Sequence, residues 1–215
     1  MHIPILTEQL WFPPVGDALP DGLLAAGGDL SPERLLLAYR SGIFPWFSED
    51  EPPLWWSPDP RFVLFPENLY VSKSMQKVLR SGQFEFRINS DFTNVINNCA
   101  QVSRKGQPGT WITDDMVAAY TALHHAGYAV SAEAWQNGEL VGGLYGVRLG
   151  KAFFGESMFS KVSNASKFAF IRWVQYLQAQ EVALIDCQVH TDHLESLGAT
   201  MIPREQFMLL LTQLV

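Results

Sequence analysis

The dipeptide Asn137-Gly138 stands between two predicted strand segments: residues 128–136, in which apolar and polar side chains alternate, and residues 139–149, which return. Asn-Gly in this setting is the strongest short-range indication of a two-residue β-hairpin, because both residues tolerate a positive φ. Gly150-Lys151 then turns the chain into a third such segment, residues 152–160. These residues predict a three-stranded antiparallel meander.

Helices are predicted on both sides of this meander, from capping residues, apolar stripes and terminal glycines. A fully apolar strand begins at residues 182–185 and runs on to Val189, and a last strand follows. The predicted helices cover residues 73–81, 91–101, 113–126, 164–180, 192–197 and 205–214. A meander, a long helix, a strand, a short helix and a final strand are typical of a GNAT-like acyltransferase topology, so the predicted class is α+β.

The first sixty residues are richer in proline and glycine turns than the rest of the chain. One helix is clearly marked among them, because Ser31 is a good N-cap, Pro32 suits the first helical position and Gly42 follows the apolar stripe. We therefore predict a small mixed N-terminal domain over residues 1–62. A GNAT-like acyltransferase domain is predicted over residues 63–215.

Composition excludes several classes of protein. Charges, glycines or prolines interrupt every apolar stretch well before eighteen residues, and the start of the chain lacks the pattern of a signal peptide. Two cysteines, Cys99 and Cys187, are too few for a disulfide framework or a closed zinc site. We expect a cytoplasmic protein that does not span a membrane and uses no metal or other cofactor.

The net charge of −7 speaks at first against a nucleic-acid partner. Residues 61–111, however, carry seven basic and three acidic side chains, or +4, which leaves −11 for the rest of the chain. Lys73, Lys77 and Arg80 share one face of a predicted helix and could hold a phosphate backbone. An acidic body would attract a cationic peptide. An ordinary solvated surface explains the same charges, and composition leaves both interpretations open.

Several aromatic side chains lie on predicted loops. Trp46, Trp55 and Trp56 follow one another in proline-rich segments, and Trp111 immediately precedes a capped helix. Aromatic side chains on loops can stack on nucleobases, and they can equally fill the seam between two domains. Tyr120 lies on the apolar stripe of the next helix, so its hydroxyl needs either a buried partner or a ligand.

Strict alternation along residues 153–160 would place Glu156, Met158 and Ser160 on one face of a strand. A carboxylate and a hydroxyl on a core face need hydrogen-bond partners, because burying them without partners is unfavourable. The rim of a pocket with an adaptable methionine floor explains them more easily. The pattern favours a pocket without excluding satisfied core groups.

At the end of the next apolar strand, alternation places Asp186 and Gln188 on one face. A carboxylate and an amide there are suited to orient an amine nucleophile and to receive its proton. Cys187 points the other way and fits as a small buried hydrophobe. His190 and His193 have a metal-ligand spacing, but without further ligands nearby, surface or capping histidines are the simpler interpretation.

Together these motifs resemble those of the leucyl/phenylalanyl-tRNA–protein transferase family. The matching stretches follow one another along nearly the whole chain, so their combination is far more specific than any one motif. They are residues 22–32, 42–47, 55–61, 109–113, 155–160, 164–167, 184–189 and 196–199.

The resemblance implies an enzyme of the N-end rule that moves Leu or Phe, and Met less well, from aminoacyl-tRNA. The sequence has no obvious interface stripe, so a monomer is expected. The acceptor that the resemblance implies is the α-amine of proteins that begin with Arg or Lys, which are thereby marked for degradation. It also implies a small N-terminal domain joined to a GNAT-like domain. The attack of the amine on the aminoacyl ester would be direct, with Gln188 orienting the amine and Asp186 acting on Gln188 or on the departing proton.

The same resemblance implies roles for individual residues. Trp46 and Trp111 would pack around the 3′-terminal adenosine, and Tyr39 and Tyr120 would line the same region. The amino-acid pocket would be formed by Leu144, Phe153, Met158, Ser160, Phe170 and Ile185. Glu156, Asp186 and Gln188 would meet the acceptor peptide and the reacting ester, and the cations Lys73, Lys77 and Arg80 would face the acceptor stem.

This sequence departs from the family pattern in two respects. Phe154, Phe168 and Trp173 add aromatic bulk that would narrow or reshape the pocket, and relatives are expected to extend somewhat beyond Val215. Two rivals stay open. A CoA-dependent N-acetyltransferase would need a pyrophosphate-binding turn, of which residues 160–164 are a poor version. A module that binds basic N-termini without catalysis would keep the acidic residues and give Gln188 no special role.

Overall fold

The computed structural model describes residues 3–102 and 112–215. Its strands are β1 (Ile5–Leu6), β2 (Leu23–Gly27), β3 (Phe44–Pro45), β4 (Leu54–Trp56), β5 (Arg61–Leu64), β6 (Glu85–Ile88), β7 (Ala129–Gln136), β8 (Glu139–Leu149), β9 (Ala152–Ser160), β10 (Leu184–Gln188) and β11 (Thr200–Ile202). Its α-helices are α1 (Pro32–Arg40), α2 (Lys73–Arg80), α3 (Phe92–Ala100), α4 (Asp114–His125), α5 (Ala165–Ala179), α6 (Asp192–Glu195) and α7 (Arg204–Leu214). Among the described helices, none is long and apolar enough to cross a membrane.

The strands form two sheets, and with the helices they confirm the predicted α+β class. A small sheet has the order β1-β2-β4-β3, and a seven-stranded sheet has the order β11-β5-β10-β9-β8-β7-β6. In the larger sheet only β9 and β10 pair in parallel, over residues 152–154 and 184–186, while the other neighbouring pairs are antiparallel.

The predicted meander is confirmed as β7, β8 and β9. The backbone at its first turn is left-handed, with φ of 53° at Asn137 and 82° at Gly138, as a two-residue hairpin requires. α5, β10, α6 and β11 then follow in the order predicted for a GNAT-like topology. β5 lies between β10 and β11, a position that no local pattern indicates, because its partners are more than a hundred residues away in the chain.

Side-chain caps start most of the helices where the sequence predicts them. The hydroxyls of Ser31, Ser72 and Thr113 and the carboxylate of Asp91 each accept a hydrogen bond from a first-turn backbone amide. Such caps satisfy amide groups that have no partner inside the helix. Among the described α-helices, α5 and α7 begin without a side-chain cap, at Asn164, which has a left-handed φ of 69°, and at Pro203.

Helices cover both faces of the larger sheet. α5 packs on one face together with α2, and α3 and α4 pack on the other. Leu35 and Trp55 of the N-terminal segment share the α3–α4 side of the core with Tyr145 and Phe154. Gly142 allows α5 to approach β8, because a Cβ at this position would lie 2.6 Å from the Cβ of Ala165. The division of the chain at residue 62 stays a prediction.

Candidate active site

A cavity opens where the parallel strands β9 and β10 separate. Their pairing ends at Phe154 and Asp186, after which β9 continues beside β8 alone and β10 turns at Gln188, where φ is 64°. A positive φ is uncommon for a residue with a side chain. The separation leaves a space of about 640 Å³ between the strands, α5 and the segment around α6.

Most of the residues predicted to form the site line this one cavity. Its wall is largely apolar, with a carboxyl and an amide at one end, and apolar walls with a few placed polar groups are typical of small-molecule sites. The predicted residues on the wall are Trp46, Leu144, Phe153, Glu156, Met158, Ser160, Phe170, Ile185, Asp186 and Gln188. Phe154, Phe168 and Trp173 are buried in the core and are not part of the wall, although Trp173 packs against Phe153 of the wall, so their effect on the shape of the pocket stays a prediction.

The prediction that Glu156 shares a face with Met158 and Ser160 is also wrong. Tyr145 pairs with Ser157 and Gly146 with Gly155, so β9 has one extra residue at Glu156. This bulge reverses the alternation. Glu156 therefore points toward the α3–α4 side of the sheet, while Met158 packs with the α5 side of the core. Gly146 permits the bulge, because a Cβ there would collide with the Phe154 carbonyl oxygen.

Glu156 is bound by two tyrosines and one amide. The Tyr39 hydroxyl lies 2.7 Å from its Oε1 and the Tyr120 hydroxyl 3.0 Å from its Oε2. The two hydroxyls also contact each other, and Gln188 Nε2 donates to Oε1 at 2.8 Å. Both tyrosines are fully buried and are not on the cavity wall, so neither ring is exposed to line the adenosine region as predicted.

The hydrogens in this cluster can be counted. Tyr39, Tyr120 and Glu156 form a ring with three oxygen–oxygen contacts, and each hydroxyl carries one hydrogen. Ionised Glu156 leaves two hydrogens for three contacts, whereas protonated Glu156 supplies the third. Burial raises the pKa of both phenols well above 10, and the charge of Glu156 adds to this effect, so the tyrosines do not ionise at neutral pH.

The pKa of Glu156 is raised from 4.5 to about 7. Burial is the main cause, because it penalises the ionised form. Hydrogen bonds from Tyr39, Tyr120 and Gln188 lower the pKa, and the charge of Asp186 raises it slightly. Glu156 can therefore both take up and release a proton near neutral pH, which is the property of an efficient general acid or base.

Asp186 has a different partner from the one the sequence predicted. Arg61 Nε donates to its Oδ1 at 2.8 Å and Arg61 Nη2 to its Oδ2 at 2.7 Å, and both side chains are buried. The backbone amide of Gln188 donates to Oδ1 at 2.9 Å. The Gln188 side chain contacts Glu156 and not Asp186, so the predicted action of Asp186 on the Gln188 amide group does not match the structure.

The loop tryptophans divide between the two interpretations. Trp55 is fully buried and donates from Nε1 to the Gly27 carbonyl at 2.8 Å. Trp56 donates to the Trp46 carbonyl at 2.6 Å, so both fit the packing interpretation. Trp46 is half-buried and lines the cavity. Trp111 lies outside the described residues.

The basic segment is only partly available to a phosphate backbone. Arg61 is buried in its ion pair. Arg87 is bound to Glu85 at 2.8 Å. Lys73, Lys77 and Arg80 are exposed on α2, as predicted.

Cys187, His190 and His193 follow β10 or lie at its end, and each has different surroundings. Burial raises the pKa of the Cys187 thiol well above its ordinary value, so it stays protonated and does not act as a nucleophile. His190 contacts Glu195 at 3.3 Å, whereas His193 lies on the cavity wall. The two predicted metal-spaced histidines thus belong to different surroundings.

Sequence reasoning gave no role in this site to the buried Arg61. Its pairing with Asp186 joins β5 to β10 across 125 positions of the chain. The only local signal was a basic residue at the start of an apolar segment, 61–64, where a cation needs a partner.

A largely apolar cavity whose wall includes a carboxyl group with a pKa near 7 and a side-chain amide, beside separated parallel strands, suits an enzyme of the α+β class that transfers an acyl group. The sequence profile described as "Leucyl/phenylalanyl-tRNA protein transferase" matches residues 63–212, and the profile of its N-terminal domain matches residues 28–59. The chain belongs to the leucyl/phenylalanyl-tRNA–protein transferase family. It is an aminoacyltransferase that moves leucine or phenylalanine from tRNA to protein.

Individual relatives agree with this assignment. The chain is 58% identical to the leucyl/phenylalanyl-tRNA–protein transferase of Flavobacterium johnsoniae over 96% of this chain and 97% of that protein. It is 57% identical to the one of Nitrosospira multiformis over 99% and 92%. A GCN5-related N-acetyltransferase structure from Kribbella flavida aligns with a TM-score of 0.37 and 11% identity, over 80% of this chain and 61% of that chain. A likeness at that level does not by itself establish a shared fold.

Proposed function

We propose that the enzyme transfers Leu or Phe, and Met less well, to the N-terminal α-amine of proteins that begin with Arg or Lys. The observation that carries this proposal is the apolar cavity that ends at the Glu156–Gln188 pair. An amino-acid side chain would fill the apolar part, which brings its ester carbonyl to the polar end. The reaction would tag the acceptor for degradation in the cytoplasm, where charged tRNA is found, and the enzyme would act as a monomer.

The walls of the cavity suit an unbranched or γ-branched apolar side chain. Leu144, Phe153, Met158, Phe170 and Ile185 supply apolar surface, and Met158 can adapt to side chains of different shape. Val and Ile, which branch at Cβ, would collide with the walls close to the backbone. Pocket misfits of this size are worth about 1–3 kcal/mol each.

The tRNA end of the donor would lie at the rim of the same cavity. Trp46 stands there with its ring partly exposed, so it could stack on the terminal adenosine. Base stacking on an aromatic side chain contributes about 1–3 kcal/mol. Trp111 is proposed to contribute a second aromatic surface, as the resemblance to the family implies.

The chemistry needs one proton to move. The amine nitrogen forms a bond to the ester carbonyl carbon, the bond from that carbon to the ribose oxygen breaks, and the proton lost by the amine must reach that oxygen. A peptide α-amine has a pKa near 7.7, so a useful fraction is neutral at pH 7. We assign the proton transfer to Glu156, because it lines the cavity and has a pKa near 7. The orientation of the amine is assigned to Gln188.

Preference for a basic acceptor would come from negative charge around the cavity mouth. Asp186 contributes less to it than the sequence suggested, because the Arg61 guanidinium balances its charge. Glu156 contributes a charge when it is ionised. The surplus of −11 outside residues 61–111 supplies a field that attracts a cationic peptide over longer distances.

The proposed function is tested with labelled Leu-tRNA or Phe-tRNA and peptides that differ only in their first residue, which is Arg, Lys, Ala or Glu. Label is expected on the Arg and Lys peptides alone, without ATP or acetyl-CoA. The Ala and Glu peptides are the matched controls. Equal labelling of all four peptides would contradict the acceptor specificity, and acetyl transfer from acetyl-CoA would revive the acetyltransferase alternative.

The exposed cations of α2 give a separate prediction for tRNA binding. Replacing Lys73, Lys77 and Arg80 by Gln should weaken tRNA binding and flatten its dependence on salt, by about one unit of the log–log slope for each phosphate that is no longer neutralised. The single variant Lys77→Gln should show part of this effect. Lys151→Gln, an exposed lysine at the β8–β9 turn, is the control. An unchanged slope in the triple variant would mean that α2 faces away from the tRNA.

A further inference from the structure

Arg61 and Asp186 form a buried ion pair directly behind the cavity. The Arg61 side chain is 0% exposed and that of Asp186 is 1% exposed. Besides its two bonds to Asp186, Arg61 donates from Nη1 to the Gly42 carbonyl at 3.1 Å. Its guanidinium lies between the rings of Phe44 and Phe207, 4.8 and 4.7 Å from their centroids. Packing and hydrogen bonds thus fix Arg61 in one orientation.

Asp186, held by Arg61, in turn fixes the backbone of Gln188. Its Oδ1 accepts the backbone amide of Gln188 at 2.9 Å, at the point where the register between β10 and β5 shifts by one residue. Gln188 has a left-handed φ of 64°, which is unfavourable for a residue with a side chain and needs support from its surroundings. The Asp186 carboxylate supplies that support by capping the turn.

The turn in β10 aims the Gln188 side chain at Glu156. Gln188 Nε2 donates to Glu156 Oε1 at 2.8 Å, inside the cavity wall. Three donors already occupy the Asp186 carboxylate, and two of them belong to a guanidinium that stays charged at all physiological pH values. A carboxylate with three donors, two of them cationic N–H groups, has little remaining capacity to accept another hydrogen bond.

We propose that Arg61 and Asp186 are positioning residues that hold the left-handed turn of Gln188, and that Asp186 takes no proton during the transfer. What Gln188 is positioned to do, namely to orient the amine beside Glu156, rests on the proposed function. The claim about the turn rests on the geometry alone. A buried ion pair can often be replaced by neutral residues of similar shape, whereas removal of one partner leaves an uncompensated charge.

The decisive variant is therefore the neutral pair Asp186→Asn with Arg61→Gln. Asn keeps an oxygen that can accept the Gln188 amide and removes the ability to take up a proton. The single-turnover rate of this double variant with Phe-tRNA and an Arg peptide is expected to stay within about tenfold of the wild-type rate. If Asp186 were the proton acceptor, the same variant would lose about 10²–10⁴-fold. Asp186→Ala should lose about 10²-fold through misplacement of Gln188, together with much of its stability.

A second readout does not depend on activity. Hydrogen exchange of the Gln188 backbone amide should be slow in the wild type and in the neutral pair, and at least tenfold faster in Asp186→Ala. Fast exchange in the neutral pair, or unchanged exchange in Asp186→Ala, would overturn the positioning role. The exchange measurement gives the same answer whether or not the wild type transfers amino acids. A failure of the proposed function can therefore be distinguished from a failure of the positioning role.

Arg34→Gln is the matched control for loss of a buried arginine. Arg34 is 0% exposed and donates to the Thr7 and Gln9 carbonyls, and it is not part of the cavity wall. This variant should lower the melting temperature without changing the exchange of the Gln188 amide. An effect of Arg34→Gln on that amide as large as that of Asp186→Ala would show that the amide reports general destabilisation and would remove the support for a local role.

Discussion

Glu156→Gln is expected to lower the single-turnover rate of transfer by about a hundredfold or more, while the protein remains folded. General acid or base catalysis typically contributes about 10²–10⁴-fold, and the amide of Gln cannot exchange a proton. The fold should tolerate the change, because the amide can donate to one tyrosine and accept from the other. Gln thus supplies the one hydrogen that protonated Glu156 adds to the ring, while Tyr39 and Tyr120 supply the other two.

The pH dependence of the transfer rate should distinguish the titration of Glu156 from that of the acceptor amine. In the wild type the rate should rise with pH through about 7, as Glu156 loses its proton, and the neutral fraction of the amine rises over a similar range, with a pKa near 7.7. In Glu156→Gln only the titration of the amine should remain. Identical profile shapes for wild type and variant would contradict the assignment of the proton transfer to Glu156.

Whereas the rate should rise with pH, the contribution of Glu156 to the stability of the fold should fall as pH rises. A carboxyl whose pKa is raised by folding stabilises the folded state most fully below its unfolded-state pKa of 4.5, and this contribution is lost as pH rises through about 7. The loss amounts to about 3 kcal/mol above pH 7. Unfolding experiments from pH 5 to 8 should therefore show the wild type losing stability relative to Glu156→Gln. A constant difference between them would mean that burial does not raise the pKa of Glu156.

Tyr39→Phe and Tyr120→Phe extend the same reasoning without removing the carboxyl. Each hydroxyl lowers the pKa of Glu156 by hydrogen bonding to it, so loss of either should move the rise of the rate to higher pH. The buried carboxyl is left with one partner fewer in each case, which costs about 1–3 kcal/mol of stability.

The sequence alone predicted the elements that local patterns determine. The hairpin at Asn137-Gly138 and the helix caps at Ser31 and Thr113 depend on residues within four positions of one another, and the structure has them where the patterns indicate. The apolar residues of the cavity wall could also be named, because they belong to motifs of a recognisable family.

The features that escaped prediction depend on contacts between distant parts of the chain. The bulge at Glu156 follows from the register between β8 and β9, which is shifted beside Gly146. Sequence alternation assumes an unbroken register and so assigned Glu156 to the wrong face. The need of the Tyr120 hydroxyl for a partner was foreseen, whereas its partners, Tyr39 and Glu156, come from elements far away in the chain.

The role of Asp186 also depends on a contact between distant parts of the chain. A carboxylate at the end of an apolar strand suggested a proton acceptor, and the structure shows it occupied by Arg61. The carboxyl that remains open to the cavity is Glu156, which the pattern had grouped with the pocket rim. Which of two nearby carboxyls is free to exchange a proton depends on burial and on charged neighbours, and neither can be read from alternation.

Gln188 distinguishes an enzyme from a protein that only binds basic N-termini. Its side-chain amide lies on the cavity wall and is held against Glu156, so it is placed to orient the attacking amine beside the group that takes its proton. Orientation of reacting groups affects the rate far more than the binding of either substrate, and a misplacement of about 1 Å can cost about 10²-fold. Gln178→Ala, at an exposed position of α5, is the matched control.

The most direct test of this account is to measure transfer and binding side by side for Gln188→Ala. The single-turnover rate from labelled Phe-tRNA to an Arg peptide should fall by about 10²-fold, while the dissociation constants for peptide and tRNA change by less than about 1 kcal/mol in free energy. Gln178→Ala should match the wild type in both measurements. A fall in binding as large as the fall in rate would contradict the account and favour a binding module, and an unchanged rate would remove Gln188 from the reaction.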